Sequence, residues 1–129
     1  KFPLPRIQDL HHSLRGSSWF STMDAMSGFH QIILDPRDRK KTGFITKFGL
    51  FEWNVMPMGL ANAPSSFQRF MTRVLTNEGG LHRFSLVYVD DIIVHSRTFE
   101  AHLKHLRRVF TRLRHHSVTL KAKKCAIGF

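Results

Sequence analysis

Two adjacent carboxylates, Asp90 and Asp91, stand between the apolar runs Leu86-Val87-Tyr88-Val89 and Ile92-Ile93-Val94. That placement predicts a tight hairpin with both acids at its tip. Neighbouring like charges repel, and charge is disfavoured near apolar surface. A divalent cation removes the repulsion and turns the pair into a binding site. Oxygen ligands of this kind suit Mg²⁺, which binds through one or two carboxylates together with substrate phosphates. The plain alternative is a polar turn, where Asp is common. Asp24 strengthens the metal reading. It ends a separate apolar stretch, residues 18–24, and precedes the small pair Ser27-Gly28. If that stretch is a strand lying beside the 84–95 hairpin, three carboxylates converge. Three carboxylates at a sheet edge can hold two metal ions about 3.5–4 Å apart, which activates an attacking 3′-hydroxyl and stabilises a leaving pyrophosphate. Taken alone, Asp24 also reads as a turn or cap residue.

The elements that must position these acids follow from local pattern. Pro3 and Pro5 make an extended start. Ile7, Leu10 and Leu14 recur at helical spacing, and Gly16 is the stop. Residues 18–24 alternate as a strand, and Asp35-Pro36-Arg37-Asp38 reads as a turn. Residues 42–47 and 50–55, separated by Phe48-Gly49, read as a hairpin. A helix over 62–76 has the clearest signature. Asn62 can cap it, and Pro64 falls in the first turn, where a missing N–H costs little. Phe67, Phe70, Met71, Val74 and Leu75 then form a core-facing stripe, and Gly79-Gly80 ends the helix. Residues 84–89 and 92–95 form a second hairpin around Asp90-Asp91. The last helix is predicted over 98–116. Phe99, Leu103, Leu106, Phe110 and Leu113 line one side, and Lys104, Arg107, Arg108, Arg112 and Arg114 mostly line the other. Glu100 near its start and the basic residues near its end suit the helix dipole. Helices and antiparallel hairpins in this order predict an α+β sandwich, with helices on one face of a sheet.

Composition bounds the partners. The 129 residues suffice for one domain, and no repeat, low-complexity stretch or linker divides them. Lys and Arg number 20 against 9 Asp and Glu, a formal net charge of +11. Such a charge on a folded domain points to a polyanion, most simply nucleic acid; a solvated basic surface is the alternative. A hydrophobic fraction of 42% with 12 Phe excludes a disordered basic tail. No apolar run approaches the roughly 18–20 residues of a membrane span, and no signal peptide opens the chain. A single Cys, Cys125, excludes an internal disulfide framework, so an intracellular protein is the simpler expectation. Lys at position 1 and the apolar residues 125–129 read as the ends of an internal piece of a longer protein.

Tyr88-Val89-Asp90-Asp91 resembles the Tyr-X-Asp-Asp box of reverse transcriptases. The wider text is similar to the enzymes of gypsy-type LTR retrotransposons and, more distantly, to retroviral ones. Pro3-Leu4-Pro5-Arg6-Ile7 resembles the family's opening segment. Met23-Asp24 followed by Ser27-Gly28-Phe29-His30-Gln31-Ile32 is similar to its first catalytic box. Lys41-Thr42-Gly43-Phe44, Val55-Met56-Pro57-Met58-Gly59-Leu60, Asn62-Ala63-Pro64 and Phe67-Gln68 resemble its substrate-positioning region; His102-Leu103 and Lys124-Cys125 also fit. Several boxes in order across the whole chain are a specific signal.

The resemblance implies the palm of a right-hand polymerase with adjoining fingers segments. Its core would be an antiparallel sheet backed by the 62–76 and 98–116 helices. It implies RNA-directed DNA synthesis on an RNA or DNA template with primer, from deoxynucleoside triphosphates, with two Mg²⁺ ions or Mn²⁺ in their place. Asp24 and Asp90 would ligate the metal and Asp91 complete the cluster. Phe29 matches the ring that packs under the incoming sugar and excludes a 2′-hydroxyl. Pro57, Met58 and Gly59 match the loop that contacts the nascent base pair, and Tyr88 belongs to the same substrate-binding set. Met58 departs from the Phe or Gln found there in relatives. Gln68 would touch template or primer, or else lie on a solvated helix face. The rest of the polyprotein (further fingers, thumb and RNase H) is the implied partner, in a cytoplasmic virus-like particle or the nucleus. The piece by itself is expected to have little or no polymerase activity. The alternative is a catalytically silent, decayed or domesticated remnant that binds nucleic acid; a basic interaction module is a third reading.

Some residues carry less. The nine His lack zinc spacing and read as surface or structural residues. Cys125 reads as a buried thiol. The basic run Arg37, Arg39, Lys40 and Lys41 reads as a phosphate contact or as a solvated turn.

Overall fold

The computed structural model describes residues 6–25, 32–57, 63–76, 80–88 and 91–128. In chain order these form α1 (Ile7–Ser13), β1 (Trp19–Asp24), β2 (Phe44–Thr46), β3 (Gly49–Phe51), α2 (Ala63–Thr76), β4 (Ser85–Tyr88), β5 (Asp91–Ser96) and α3 (Phe99–His115). Most predicted elements are present. Asn62 and Gly79, the proposed cap and stop of α2, lie outside the described residues.

The main sheet is antiparallel with strand order β1-β5-β4. Its alternation separates two faces. Ser21 and Met23 of β1, Ile92 and Val94 of β5, and Ser85 and Val87 of β4 are buried on one face. Met23, Val87, Ile92 and Val94 belong to one cluster with Phe67, Met71, Val74 and Leu75 of α2 and Leu106, Val109 and Leu113 of α3. The other face carries Thr22 and Asp24, Asp91 and Ile93, and Leu86 and Tyr88, none of them buried. The outer side of β1 is covered by the returning C-terminal stretch. Thr22 exchanges both backbone hydrogen bonds with Ala126 (2.8 and 2.9 Å), and Lys121 N–H donates to the Asp24 carbonyl at 2.8 Å.

Two sequence expectations change. Asp91 is not at the hairpin tip; it is the first residue of β5 and pairs with Asp24 on one side and Tyr88 on the other. The apolar residues at 99, 103 and 110 do not face the core: Phe99, Leu103 and Phe110 are exposed, while His102, Leu106, Val109 and Leu113 are buried. The inward face combines Leu106, Val109 and Leu113 with polar anchors. His102 finds hydroxyl partners on the sheet, and Arg112, expected on the solvent side, donates from Nε to the Val74 carbonyl at 2.7 Å. That bond satisfies a carbonyl in the last turn of α2, which has no partner within its own helix. Thr98 caps α3, its hydroxyl accepting from Ala101 N–H.

The first hairpin is shorter than the 42–47 and 50–55 runs. Residues Arg39–Thr42 form a 3₁₀ turn, and the Thr42 hydroxyl donates to the Arg39 carbonyl while accepting from Trp53 N–H. Asn54 and Met56 instead bond back to Leu34 and Ile32.

Candidate active site

Asp24 and Asp91 come together through strand register. They are direct partners across β1 and β5, which places both side chains on the face away from α2 and α3. The pair is of the closer kind. Thr22 turns both its N–H and its carbonyl toward Ala126, and Asp24 turns its carbonyl toward Lys121. Thr22 and Asp24 are therefore non-hydrogen-bonded partners of Ile93 and Asp91, a geometry with Cα atoms about 4.5 Å apart and side chains at their nearest. The convergence predicted for two of the three acids follows from this register. Asp90 lies outside the described residues, as do Phe29, Met58 and Gly59.

Tyr88 completes the row on the far side of Asp91 and is half-buried. Asp91 is exposed, whereas the Asp24 side chain is 19% exposed. Lys124 Nζ lies 3.8 Å from Asp24 Oδ2. This cation comes from the C-terminal stretch, on the side of β1 opposite β5. Its own side chain is 62% exposed, so the pair is loose and contributes little. Sequence matching placed Lys124 in the family pattern without a role; its approach to Asp24 depends on the backbone pairing of residues 120–126 with β1, which no spacing reveals.

The donor set fits a hard divalent cation. Two carboxylates stand side by side on an open face, with one loosely held ammonium group against them. Among the described residues no three His, Cys, Asp or Glu side chains gather as a metal site, and the third acid of the expected cluster is Asp90.

Gln68 corrects an expectation. It does not lie on a solvated helix face. It is 4% exposed, and its amide Nε2 donates to the Val87 carbonyl at 2.7 Å. The residue fastens α2 to β4, next to Tyr88. Pro57 is buried after the 54–56 stretch that bonds to residues 32–34. In the basic run, two cations already have partners. Arg37 pairs with Asp35 at 2.9 Å and holds its carboxyl below the usual carboxylate range, and Lys41 pairs with Asp38 at 2.8 Å.

Residues 1–129 match the family model described as reverse transcriptase (RNA-dependent DNA polymerase). The chain is 39% identical over 125 residues to the retrovirus-related Pol polyprotein of transposon 297 from Drosophila melanogaster, covering 97% of this chain and 12% of that one. It is 40% identical over 112 residues to an RNA-directed DNA polymerase homolog of Oenothera berteroana, covering 84% of this chain and 78% of that protein. Among solved structures, a foamy viral protease-reverse transcriptase in complex with an RNA/DNA hybrid superposes with a TM-score of 0.82 at 27% identity, over 97% of this chain and 16% of that one. The chain thus spans under a fifth of the length of the polyprotein and of the solved enzyme.

Proposed function

The chain belongs to the reverse transcriptase family, and we propose that it forms a single partial domain, the palm with adjoining fingers segments, of an RNA-directed DNA polymerase. One observation carries the reading: Asp24 faces Asp91 across β1 and β5, on the sheet face opposite α2 and α3. The family generally uses divalent metal ions. Here Asp24, Asp91 and Asp90 would hold two Mg²⁺, or Mn²⁺ in their place. When bound, such ions supply charge neutralisation on the primer hydroxyl and on the leaving pyrophosphate.

The chain's own residues do the positioning. The register fixes Asp24 and Asp91 on a backbone that does not have to rearrange, which is the preorganisation that electrostatic catalysis requires. Gln68 anchors the edge strand β4 and so holds Tyr88 beside Asp91. The open face offers Thr22, Ile93 and Leu86 as a floor for the primer terminus, and Phe29 with Pro57, Met58 and Gly59 would select and seat the deoxynucleoside triphosphate. The net charge of +11 suits a template–primer duplex. The solved foamy viral relative is in complex with an RNA/DNA hybrid, and the same class of partner is proposed here. The remainder of a polyprotein would supply thumb and RNase H, within a virus-like particle or the nucleus.

The test uses the full-length parent protein. Asp91→Asn should lower primer extension at least about 100-fold, the scale of losing one preorganised electrostatic group, while template–primer binding persists. Extension by Asp91→Asn at the wild-type rate overturns the assignment of Asp91 to the site; no extension by the wild-type protein, with template–primer binding kept, overturns the polymerase reading and favours a silent nucleic-acid-binding remnant.

A further inference from the structure

A second polar cluster lies on the other face of the sheet, and the proposed chemistry does not use it. His102 of α3 is 1% exposed, and both of its ring nitrogens meet serine hydroxyls. Nε2 lies 2.7 Å from Ser21 Oγ on β1, and Nδ1 lies 2.8 Å from Ser96 Oγ on β5. Ser21 and Ser96 are themselves 0% and 3% exposed. One imidazole therefore spans the two strands that carry Asp24 and Asp91. We propose that His102 is a positioning residue, whose clamp on Ser21 and Ser96 holds the β1–β5 register that sets Asp24 beside Asp91.

Proton accounting supports a directed clamp. Ser21 Oγ accepts from Gly128 N–H at 2.9 Å, which leaves its own proton for His102 Nε2. His102 then donates from Nδ1 to Ser96 Oγ, and Ser96 gives its proton to His105 Nδ1 at 2.6 Å. This assignment uses each hydroxyl proton once and requires a neutral imidazole. Burial holds His102 below the ordinary histidine range and so favours that form.

Apolar packing alone leaves the register underdetermined. Of the three inward residues of β1, Trp19 is half-buried, Ser21 is polar and only Met23 is both apolar and buried. Sliding β1 by two residues keeps every side chain on its own face. It would set Met23 against Val94, again an apolar pairing, and would move Asp24 from Asp91 to Ile93. Face alternation does not forbid that slip, although the slip would put Ala25 where Met23 packs; it separates His102 from Ser21. Fixing register is the best-attested use of a buried polar group.

The inference rests on the metal-site reading, so its test carries one readout that needs no metal. On the 129-residue chain, Mn²⁺ affinity is measured by electron paramagnetic resonance, and Hα–Hα nuclear Overhauser effects are followed for Asp24–Asp91 and Thr22–Ile93. His102→Leu should weaken Mn²⁺ binding about tenfold, as loss of an outer-shell support does, and should abolish the Asp24–Asp91 effect. Ser21→Ala should act in the same direction more weakly, and His102→Gln, which keeps a donor and an acceptor, should restore most of both signals. Val109→Ala in the same helix should lower the melting temperature and leave both readouts in place. Wild-type Mn²⁺ affinity in His102→Leu and Ser21→Ala, with both Overhauser effects retained, overturns the clamp. If His102→Leu does not fold, Ser21→Ala decides. If the wild-type chain takes up no Mn²⁺, the metal reading fails, and the clamp stands or falls on the Overhauser effects alone.

Discussion

The main sheet and the β2–β3 hairpin are built from similar residues and end in opposite conditions. Met23, Ile92 and Val94 are no more than 1% exposed, because α2 and α3 lie over one face of their sheet. Ile45, Phe48 and Leu50 are 85%, 80% and 75% exposed, and among the described residues β2 and β3 pair only with each other. Phe44 and Phe51 stack across the hairpin with ring centroids 6.0 Å apart, and Phe44 meets Trp53 at 6.3 Å. Those ring contacts are the hairpin's own cohesion, and a two-stranded ribbon is marginal in water without a further layer. Apolar alternation thus encodes a strand, while a covering helix decides whether the strand becomes rigid. The carboxylates sit on the covered sheet, across the β1–β5 pairing.

The largest effect expected from this contrast is in the helix that covers the sheet. Phe67 of α2 is 1% exposed in the central cluster. Phe67→Ala should cost about 3–5 kcal/mol in denaturant unfolding, from lost transfer energy plus the cavity left behind. Phe44→Ala in the hairpin, where the ring is 44% exposed, should cost far less. Equal losses would mean that the two regions unfold as one unit and would erase the distinction.

This contrast also explains what the sequence made legible. The stripe Phe67, Phe70, Met71, Val74 and Leu75 has one inward solution, and α2 follows it, with Phe70 half-buried. α3 has two apolar arcs. Periodicity favours the face through Phe99, Leu103, Leu106, Phe110 and Leu113; Leu106 and Leu113 are buried as expected, but the helix is turned so that His102 and Val109 join them, and His102 and Arg112 have long-range partners on β1, β5 and α2. Those bonds join residues tens of positions apart and leave no mark on local spacing. The candidate site divides in the same way. Asp24 and Asp91 were readable because each borders an apolar run, whereas Tyr88 was singled out only by the resemblance. The solvated alternative for Gln68 fails because its amide serves a backbone carbonyl of the edge strand. Lys124 reaches Asp24 only after the chain returns along β1.

Acid should separate the two regions by a smaller margin. His95, His102 and His105 all belong to β5 and α3, and burial is the first cause holding each below the ordinary histidine value of 6.5. Their unfolded forms therefore take up protons at a higher pH than their folded forms. Stability is fully present above pH 6.5 and falls as the pH drops from there toward the lowered folded values. Each histidine that protonates only on unfolding removes up to about 1.4 kcal/mol per pH unit. The two tryptophans report on one region each. With Trp53→Phe, the fluorescence of Trp19 should show a urea midpoint that falls between pH 7 and pH 5. With Trp19→Phe, the Trp53 signal beside the hairpin should move less. A Trp19 midpoint that does not change with pH would show that the buried histidines already carry their protons, which contradicts the neutral clamp.

The smallest effect tests the hairpin directly. Leu50 of β3 is 75% exposed, so its side chain gains little from the folded state. Leu50→Ser should leave the unfolding free energy within about 0.5 kcal/mol of wild type, as for surface positions without special contacts. Ile45→Ser, at 85% exposure, should do the same. The outcome would sharpen the comparison, because two apolar strand residues would then be energetically silent while Met23 and Ile92, of the same character, are not. A loss of 2 kcal/mol or more, well beyond ordinary surface effects, would mean that something packs on the hairpin in solution. The hairpin would then be a covered sheet like the first, and the difference in burial would no longer separate a rigid sheet that carries the carboxylates from a loose ribbon that does not.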